Sequence, residues 1–388
     1  MRLICILLVS AFFLALIAQP ATTQASHYTR VEVLLDGLAK PAVKAMDQQG
    51  RLYFTTREGE AYTLWRYDLR SGELEKVASS SRYIPVVYVN QRGEVYYVAG
   101  GLYVPNEIHV VSADLSVDKC VYRTGEGFFI GDADLDVRRN ILYFSVVSYE
   151  VEGVPPSEPK SKLLSLSRRM VETLVEEVDG WITSVAVSPA HGVFFVARLR
   201  DSCVIYRYVP QRSGVPRRGQ LRIVVERPAV NFAYFMYIML GKDGSLYWVY
   251  RERAPFGSQS PWGYLEVARL RSLNLVRGGE PEVLYAARFD DRSVFGWIPT
   301  HAFSDVSSTG DVFFAVVFVF YDETEDFIYS DRLCWLNSRT GDLTYLFTDV
   351  VYLAHFTGFE FFHFTIDSQG NLYVSLTKSG KIVKVYRQ

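Results

Sequence analysis

The stretch Asp367-Ser368-Gln369-Gly370-Asn371-Leu372-Tyr373-Val374 decides the fold of this chain, and Asp47-Gln48-Gln49-Gly50-Arg51-Leu52-Tyr53-Phe54 repeats its pattern near the other end. In each stretch an Asp opens a short turn that closes on a Gly, and an apolar run with an aromatic residue follows. Gly adopts the left-handed backbone conformation that other residues resist, so the turn predicts a tight hairpin. The run after the Gly has no polar face, which is typical of a strand buried on both sides.

The core of this pattern recurs along the whole chain. It consists of a Gly or Asn, a variable residue, a Leu, Val or Phe, an aromatic residue and another large apolar residue. The seven occurrences begin at Gly50, Gly93, Asn140, Gly192, Gly244, Gly310 and Gly370. Their spacing runs from 43 residues (Gly50 to Gly93) to 66 residues (Gly244 to Gly310), which fits four strands with loops of variable length. The repeats therefore predict an all-β fold, a seven-bladed β-propeller of four-stranded antiparallel blades.

The two ends of the chain complete this count. The seventh repeat ends with the strand-like segment Lys381–Tyr386 and is one strand short of a full blade, whereas Val31–Leu35 is a strand that belongs to no preceding repeat. Pairing the two segments closes the ring and removes free sheet edges. We therefore expect the N-terminal strand to complete the C-terminal blade. Residues 26–388 are expected to form a single domain, since no Pro-, Ser- or Gly-rich linker divides them.

The composition suits a large β-rich globular protein and excludes one class of partner. Hydrophobic residues make up 49% of the 388 residues, charged residues make up 22%, and the formal net charge is -2. No basic excess exists to hold a phosphate backbone, so we expect no nucleic-acid partner. Arg outnumbers Lys, which suggests a thermophilic source or, equally, a genome of biased base composition.

Residues 1–25 have the features of a secretory signal peptide. Arg2 precedes an apolar run that ends at Ala18, and small and polar residues follow it. The run is just short of a full membrane span, so we expect cleavage of this leader and no membrane span after its removal. The expected location is secreted or extracytoplasmic, in the cell envelope. An uncleaved N-terminal anchor is the alternative.

The last repeat, together with Gly380-Lys381-Ile382-Val383-Lys384, resembles the NHL repeat and the related SMP-30/gluconolactonase-like and streptogramin-lyase-like propellers. The other six repeats share only the core of the pattern, so the resemblance concerns the fold of residues 31–388 and specifies no reaction. It implies a site at the mouth of the central channel. SMP-30-like enzymes hold a divalent ion there with acidic and Asn side chains, and streptogramin-lyase-like enzymes use His and Glu with a metal. No matching set of oxygen ligands stands in this sequence, so we expect no cofactor, with a divalent cation as the alternative.

Candidate site residues come from the positions that should approach the channel. Seven residues before each repeat Gly or Asn stand Val43, Val86, Ala133, Val185, Tyr237, Phe303 and His363, nearly all apolar or aromatic. Polar residues beside these positions are few. The candidate ligand-binding residues are His301, Glu360, His363, Tyr237, Asp132 and Asp134.

Two groups among these candidates suggest chemistry. His301, Glu360 and His363 precede the innermost strands of the sixth and seventh blades, so convergence at one side of the channel mouth would form a proton-transfer site. A rim histidine with a satisfied hydrogen bond is the alternative. Alternation along a strand would send Asp132 and Asp134 to one side, where a shared proton or cation would hold them. The alternative is that they cap turns and face water.

Three connections between second and third strands are enlarged and should share one rim; they span residues 148–161, 251–263 and 319–331. Insertions on one face of a repeat scaffold make recognition surfaces. We therefore hypothesise a non-catalytic binding or scaffold module whose rim takes a protein, a glycan, a small molecule or a cell-envelope component. The alternative is a hydrolase or lyase of the SMP-30/streptogramin-lyase kind with its site at the channel mouth.

Overall fold

The computed structural model describes residues 28–101, 104–148, 159–167, 170–210, 219–228, 234–253, 263–277, 279–289, 304–321, 327–352 and 363–387. These residues form seven separate antiparallel sheets of four strands each. The innermost strands of successive sheets contact one another all the way round, from the first blade to the seventh and back to the first. The all-β, seven-bladed propeller predicted from the repeats is confirmed.

The strands of each blade follow one another outwards from the channel. Blade 1 contains β2 (Ala42–Met46), β3 (Arg51–Glu58), β4 (Ala61–Asp68) and β5 (Leu74–Ser80). Blade 2 contains β6 (Val87–Val89), β7 (Val95–Gly100), β8 (Pro105–Val111) and β9 (Asp118–Arg123). Blade 3 contains β10 (Phe128–Asp136), β11 (Ile141–Ser148), β12 (Lys160–Ser167) and β13 (Met170–Asp179). Blade 4 contains β14 (Trp181–Ser188), β15 (Gly192–Arg198), β16 (Ser202–Val209) and β17 (Gln220–Pro228).

The remaining blades follow the same order. Blade 5 contains β18 (Tyr234–Leu240), β19 (Leu246–Arg253), β20 (Gly263–Leu270) and β21 (Glu282–Phe289), with a short helix, α1 (Ser272–Arg277), between the last two. Blade 6 contains β22 (Ser304–Val306), β23 (Val312–Tyr321), β24 (Phe327–Leu336) and β25 (Leu343–Tyr352). Blade 7 contains β26 (His363–Ile366), β27 (Leu372–Leu376), β28 (Lys381–Arg387) and, outermost, β1 (Tyr28–Leu35).

The Asp of the repeated turn explains why the pattern has its fixed spacing. Asp47 accepts hydrogen bonds from two backbone N–H groups of its own turn and from the hydroxyl of Tyr53, the last at 3.2 Å. Gly50 completes the turn with a φ of 81°. Asp367 accepts the hydroxyl of Tyr373 in the same way, also at 3.2 Å. One carboxylate thus orders the hairpin and satisfies the polar end of a buried aromatic residue.

The hydrophobic core lies between the blades. The aromatic residue of each repeat is buried; these residues are Tyr53, Tyr96, Tyr143, Phe195, Tyr247, Phe313 and Tyr373. Apolar clusters join neighbouring blades, as where Tyr373 and Ile382 of blade 7 pack against Val43 and Phe54 of blade 1. Burying one large apolar side chain contributes roughly 1.5–3 kcal/mol, so these interfaces hold the ring together.

The N-terminal strand closes the ring, as the sequence predicts. β1 pairs antiparallel with β28, and Val33 lies opposite Val383. The guanidinium of Arg30 lies 4.7 Å from the centroid of the Tyr386 ring, which adds a cation–π contact across the pair. Blade 7 therefore takes its fourth strand from the opposite end of the chain.

The innermost strands begin at one rim of the ring, the same rim at which each second strand connects to the third. We call it the entrance rim. The three enlarged connections leave from it in blades 3, 5 and 6. In blade 6 the connection is shorter than the predicted 319–331, because β23 and β24 both extend into it. The centres of all three connections, and the predicted signal peptide, lie outside the described residues. No helix in the described part of the chain is long and apolar enough to cross a membrane.

Deletion of residues 28–36 is expected to lower the melting temperature strongly and to cause aggregation, because β28 loses its partner and becomes an exposed edge. Thermal unfolding followed by circular dichroism, together with size-exclusion chromatography, measures both effects. The control begins at residue 28 and keeps β1. A deletion variant that stays monomeric with an unchanged melting temperature would contradict closure by β1.

Candidate functional site: the central channel

The innermost strands surround the central channel, and each lies at the edge of its own sheet, because no ladder joins one blade to the next. A buried N–H without a partner costs about 1–3 kcal/mol, so these edges need partners from outside the sheet. Side chains of the preceding blade supply them. Ser184 Oγ in blade 4 accepts the N–H of Ile238 in blade 5 at 3.4 Å, and Ser375 Oγ in blade 7 accepts that of Val43 in blade 1 at 3.4 Å. Blades 4 and 7 thus each fasten the innermost strand of the next blade.

In blade 3 the fastening groups are the carboxylates of Asp132 and Asp134. Asp132 Oδ2 accepts the N–H of Val185 at 2.7 Å, and Asp134 Oδ2 accepts the N–H of Val187 at 2.7 Å. Both acceptors reach the same neighbouring strand, β14, as alternation along β10 predicts. They cap the backbone of the next blade, not a turn of their own.

A β-bulge in β10 sets the position of Asp132. The register with β11 shifts between Ile130 and Ala133, so Gly131 and Asp132 together oppose a single residue. A Cβ atom at Gly131 would lie 2.7 Å from the carbonyl oxygen of Ile182, which a real side chain cannot tolerate. The Gly therefore lets blade 3 approach blade 4, and the extra residue turns Asp132 towards β14.

Blade 6 repeats this arrangement with Asp305. Asp134 lies opposite Tyr143 and Asp305 opposite Phe313. Both partners are the aromatic residues of their repeats, so the two carboxyl groups lie at the same depth in the ring. Asp305 accepts a hydrogen bond from the backbone of Ile366 in blade 7. The same fastening thus occurs in blades 3 and 6.

Burial dominates the electrostatics of these acids. It raises the pKa of Asp132 to about 8, that of Asp134 to about 7 and that of Asp305 to about 6. All three residues keep partial solvent exposure, although protein surrounds their carboxyl groups. The hydrogen bonds that they accept from backbone N–H groups favour the ionised forms and oppose burial without cancelling it. Near neutral pH the channel therefore holds carboxyl groups in both protonation states.

Tyr88, on β6, lies beside the acids of blade 3. Its hydroxyl donates to the carbonyl oxygen of Ala133. Burial, with the charges of Asp132 and Asp134, raises the pKa of Tyr88 well above its ordinary value. The residue is a neutral hydrogen-bond donor that ties blade 2 to blade 3.

Two basic groups lie on blades 1 and 7. Lys44 occupies a bulge of β2 between Val43 and Ala45, and burial lowers its pKa to about 7. His363 is the first residue of β26. Burial, and after it the charge of Lys44, lower the pKa of His363 well below 6.5, so the imidazole is neutral at physiological pH. Acidic groups on blades 3 and 6 thus face a channel whose basic groups come from blades 1 and 7.

The other predicted site residues lie, wholly or in their side chains, outside the described part of the chain. Tyr237 lies on β18, and its side chain is outside the described part of the protein. His301 and Glu360 also lie outside the described residues. Their convergence with His363 stays a prediction.

The count of seven residues back from each repeat was wrong for four blades. Val43, Val86, Ala133 and Val185 are buried in the apolar clusters between blades. In blade 1 the bulge of β2 inserts an extra residue between Val43 and the repeat, and a slip of one residue turns a side chain to the other face. The groups that the count missed are Lys44, Tyr88 and Asp305. A charged or phenolic residue inside a short apolar innermost strand was the signal that would have found them.

A second group of titratable side chains lies away from the channel, in the outer strands of blade 2. The two ring nitrogens of His109 lie 3.1 Å from Asp118 Oδ1 and 3.3 Å from Glu107 Oε2. Arg123 contacts the other oxygen of Glu107 at 2.6 Å, and the His109 ring stacks on Tyr97 with 4.7 Å between the ring centroids. Each charged group has a partner within the cluster, so it stabilises the blade. In the described part of the chain no group of three or more His, Cys, Asp or Glu side chains is arranged to hold a metal ion.

Comparison with known proteins supports the fold and does not define a family. No protein-family model matches the sequence. No curated protein matches it either. Among solved structures, the chain is similar to an oligogalacturonate lyase in complex with manganese, with a TM-score of 0.60 and 12% identity over 92% of this chain and 93% of that one. It is also similar to an oligogalacturonate lyase from Vibrio parahaemolyticus, with a TM-score of 0.57 and 11% identity over 94% of each chain.

These matches extend over nearly the whole chain, so they support the propeller fold over that length. They do not point specifically to the NHL-repeat or SMP-30 families that the last repeat resembles. At 11–12% identity a likeness supports the fold alone.

The variant Asp132→Asn is expected to match the wild type in stability below about pH 4 and to exceed it by a growing margin as the pH rises to about 8. The folded-state pKa of Asp132, about 8, lies above the ordinary 3.8, so the folded protein holds this proton more tightly and wild-type stability falls as pH rises from about 4 to 8. Asn keeps an oxygen acceptor for Val185 N–H but cannot ionise. Melting temperatures of both proteins across this pH range measure the difference.

Asp132→Leu is the matched control, because it removes both the charge and the acceptor. It should destabilise the protein at every pH, by about 1–3 kcal/mol, since the N–H of Val185 is left without a partner. A pH-independent difference between the wild type and Asp132→Asn would show that burial does not hold the proton on Asp132.

Proposed function

We propose that this chain is an extracytoplasmic binding propeller that recognises a glycan, a protein or another envelope component through its entrance rim and the mouth of its channel. The observation that carries the proposal is the polar lining of the innermost strands. Lys44, Tyr88, Asp134, Asp305 and His363 come from five different blades, and each keeps partial solvent exposure despite its depth. A concave site with a few convergent polar groups in apolar walls is the usual form of a ligand site.

The enlarged connections support the same face. All three leave the entrance rim, the rim at which the innermost strands with the polar groups begin. Extended loops on one rim of a rigid scaffold enlarge the contact area without disturbing the core. The extracytoplasmic part of the proposal rests on the leader-like residues 1–25.

A hydrolase or lyase with its site at the channel mouth is the second candidate. The observation that favours it is the raised pKa of Asp132 and Asp134, about 8 and about 7, because groups whose pKa is moved towards neutrality are common in acid–base sites. Both carboxylates, however, accept backbone hydrogen bonds that hold blade 4. Because these carboxylates already hold the backbone of blade 4, we favour the binding proposal over the catalytic one.

We expect binding without turnover, and the structurally similar lyases suggest the substrate with which to test it. Purified protein with Mn²⁺ and oligogalacturonate should yield no unsaturated product, followed by its ultraviolet absorbance. Product formed by the wild type and lost in Asp134→Asn would overturn the binding proposal in favour of the lyase. Metal analysis of the protein as purified accompanies the assay.

Blocking the channel tests where the ligand binds. In a Cys120→Ser background, Asp305→Cys is coupled after folding to a bulky maleimide; the other described cysteines, Cys203 and Cys334, are buried. The modified protein should lose at least tenfold in affinity for its ligand on an array of envelope oligosaccharides and peptides. The loss follows because the label fills the channel.

The control carries the same label at Lys76→Cys, an exposed position on the outermost strand of blade 1. It should bind like the unlabelled protein. Equal binding by the protein labelled in the channel would place the ligand outside the channel and reject this part of the proposal.

A further inference from the structure

Lys44 differs from the acids of the channel, because the described residues offer its ammonium no hydrogen-bond acceptor. Its Nζ atom is buried and has no hydrogen-bond partner in the described part of the chain. The ammonium lies 5.4 Å from the centroid of the Tyr83 ring in blade 2, and its charge acts on His363 in blade 7. The three acids of the channel, in contrast, all accept hydrogen bonds from backbone N–H groups.

The surroundings of Tyr83 locate this ammonium near the entrance rim. Tyr83 bridges to Gly100, the last residue of β7, and its ring packs edge-on against Tyr62 at the start of β4, with 5.5 Å between the centroids. Both elements reach the entrance rim at those residues. The Lys44 Nζ atom therefore lies between blades 1 and 2, near the entrance-side ends of β4 and β7.

An unpaired buried ammonium is costly, and its cost indicates a role outside the fold. Removing a charge from water costs several kcal/mol, and the face of one aromatic ring returns only part of it. Met or Leu would fill the same space with no such cost. A residue that costs the fold stability is typical of functional sites.

We propose that Lys44 binds the carboxylate of a monoanionic ligand, with the ammonium as ion-pair partner and the Tyr83 ring as one wall of the site. This inference rests on the proposed function and adds to it the charge of the ligand. A single ammonium matches a single negative charge. A doubly charged phosphate is disfavoured because Asp132, Asp134 and Asp305 contribute negative charge to the same channel as they ionise.

The test compares three acids with their neutral amides: acetate, benzoate and D-glucuronate. Each pair has nearly the same shape and differs in charge. For the wild type, at least one acid should bind at least tenfold more tightly than its amide, in calorimetric titrations at constant ionic strength. Lys44→Met should lose this preference, and Lys44→Arg should retain part of it. Lys76→Met, which removes an exposed lysine, should behave as the wild type.

A second measurement does not depend on the choice of acid. If Lys44 serves a ligand and not the fold, Lys44→Met without ligand should melt at or above the wild-type temperature, because a buried unpaired charge is removed. A clearly lower melting temperature would assign Lys44 a structural role and overturn the proposal. The proposal also fails if no acid is preferred over its amide, if Lys44→Met keeps the preference, or if inorganic phosphate binds as tightly as the best acid.

The two proposals fail in different ways. Ligand binding that survives maleimide labelling of Asp305→Cys rejects the channel as the binding site altogether. Binding that this label abolishes but that Lys44→Met leaves intact rejects only the assignment of Lys44.

Discussion

The absence of a hydrogen-bonded ladder between blades is the constraint on which the structure depends. Seven sheets meet at the channel, and each presents the free edge of its innermost strand to its neighbour. Main-chain N–H groups at such an edge must find acceptors, or the ring loses stability at every joint. The protein supplies acceptors from side chains of the preceding blade: Asp132 and Asp134 to blade 4, Ser184 to blade 5, Asp305 to blade 7 and Ser375 to blade 1.

This solution determines the chemistry of the channel. Short acidic side chains that reach a neighbouring backbone are held deep in the ring, and burial there moves their pKa values towards neutrality. The same carboxyl groups are thus structural acceptors and the main source of variable charge in the channel. A perturbed pKa in this fold is therefore not sufficient to identify a catalytic acid, because the joints between blades produce the same shift.

Lys44 differs from these carboxylates because it does not hold a neighbouring blade. Its ammonium donates no hydrogen bond to any described residue, and the joint between blades 7 and 1 is already made by Ser375 Oγ with the N–H of Val43. The bulge that contains Lys44 is what separates it from its buried neighbour Val43. A similar bulge in β10 positions Asp132 in blade 3. Irregularities of the innermost strands in blades 1 and 3 thus determine which side chains the channel receives there.

The sequence by itself determined the architecture. The first and last repeats each place a turn Asp, a Gly with a positive φ and a buried aromatic residue within about seven residues of sequence. Asp47 accepts a hydrogen bond from Tyr53, and Asp367 accepts one from Tyr373. Because these contacts are local, the sequence pattern alone reveals them. The unpaired strands at the two ends were sufficient to predict closure by β1 and β28. The pair Asp132 and Asp134 could also be found, because alternation along one strand is local.

Which side chains line the channel was decided only by the tertiary structure. A bulge moves a residue from one face to the other without a clear sequence signal, which is why Val43 was expected at the mouth and Lys44 was missed. Asp305 became visible as the counterpart of Asp134 only when the registers of blades 3 and 6 were known, since the two residues are far apart in sequence and related only through the ring.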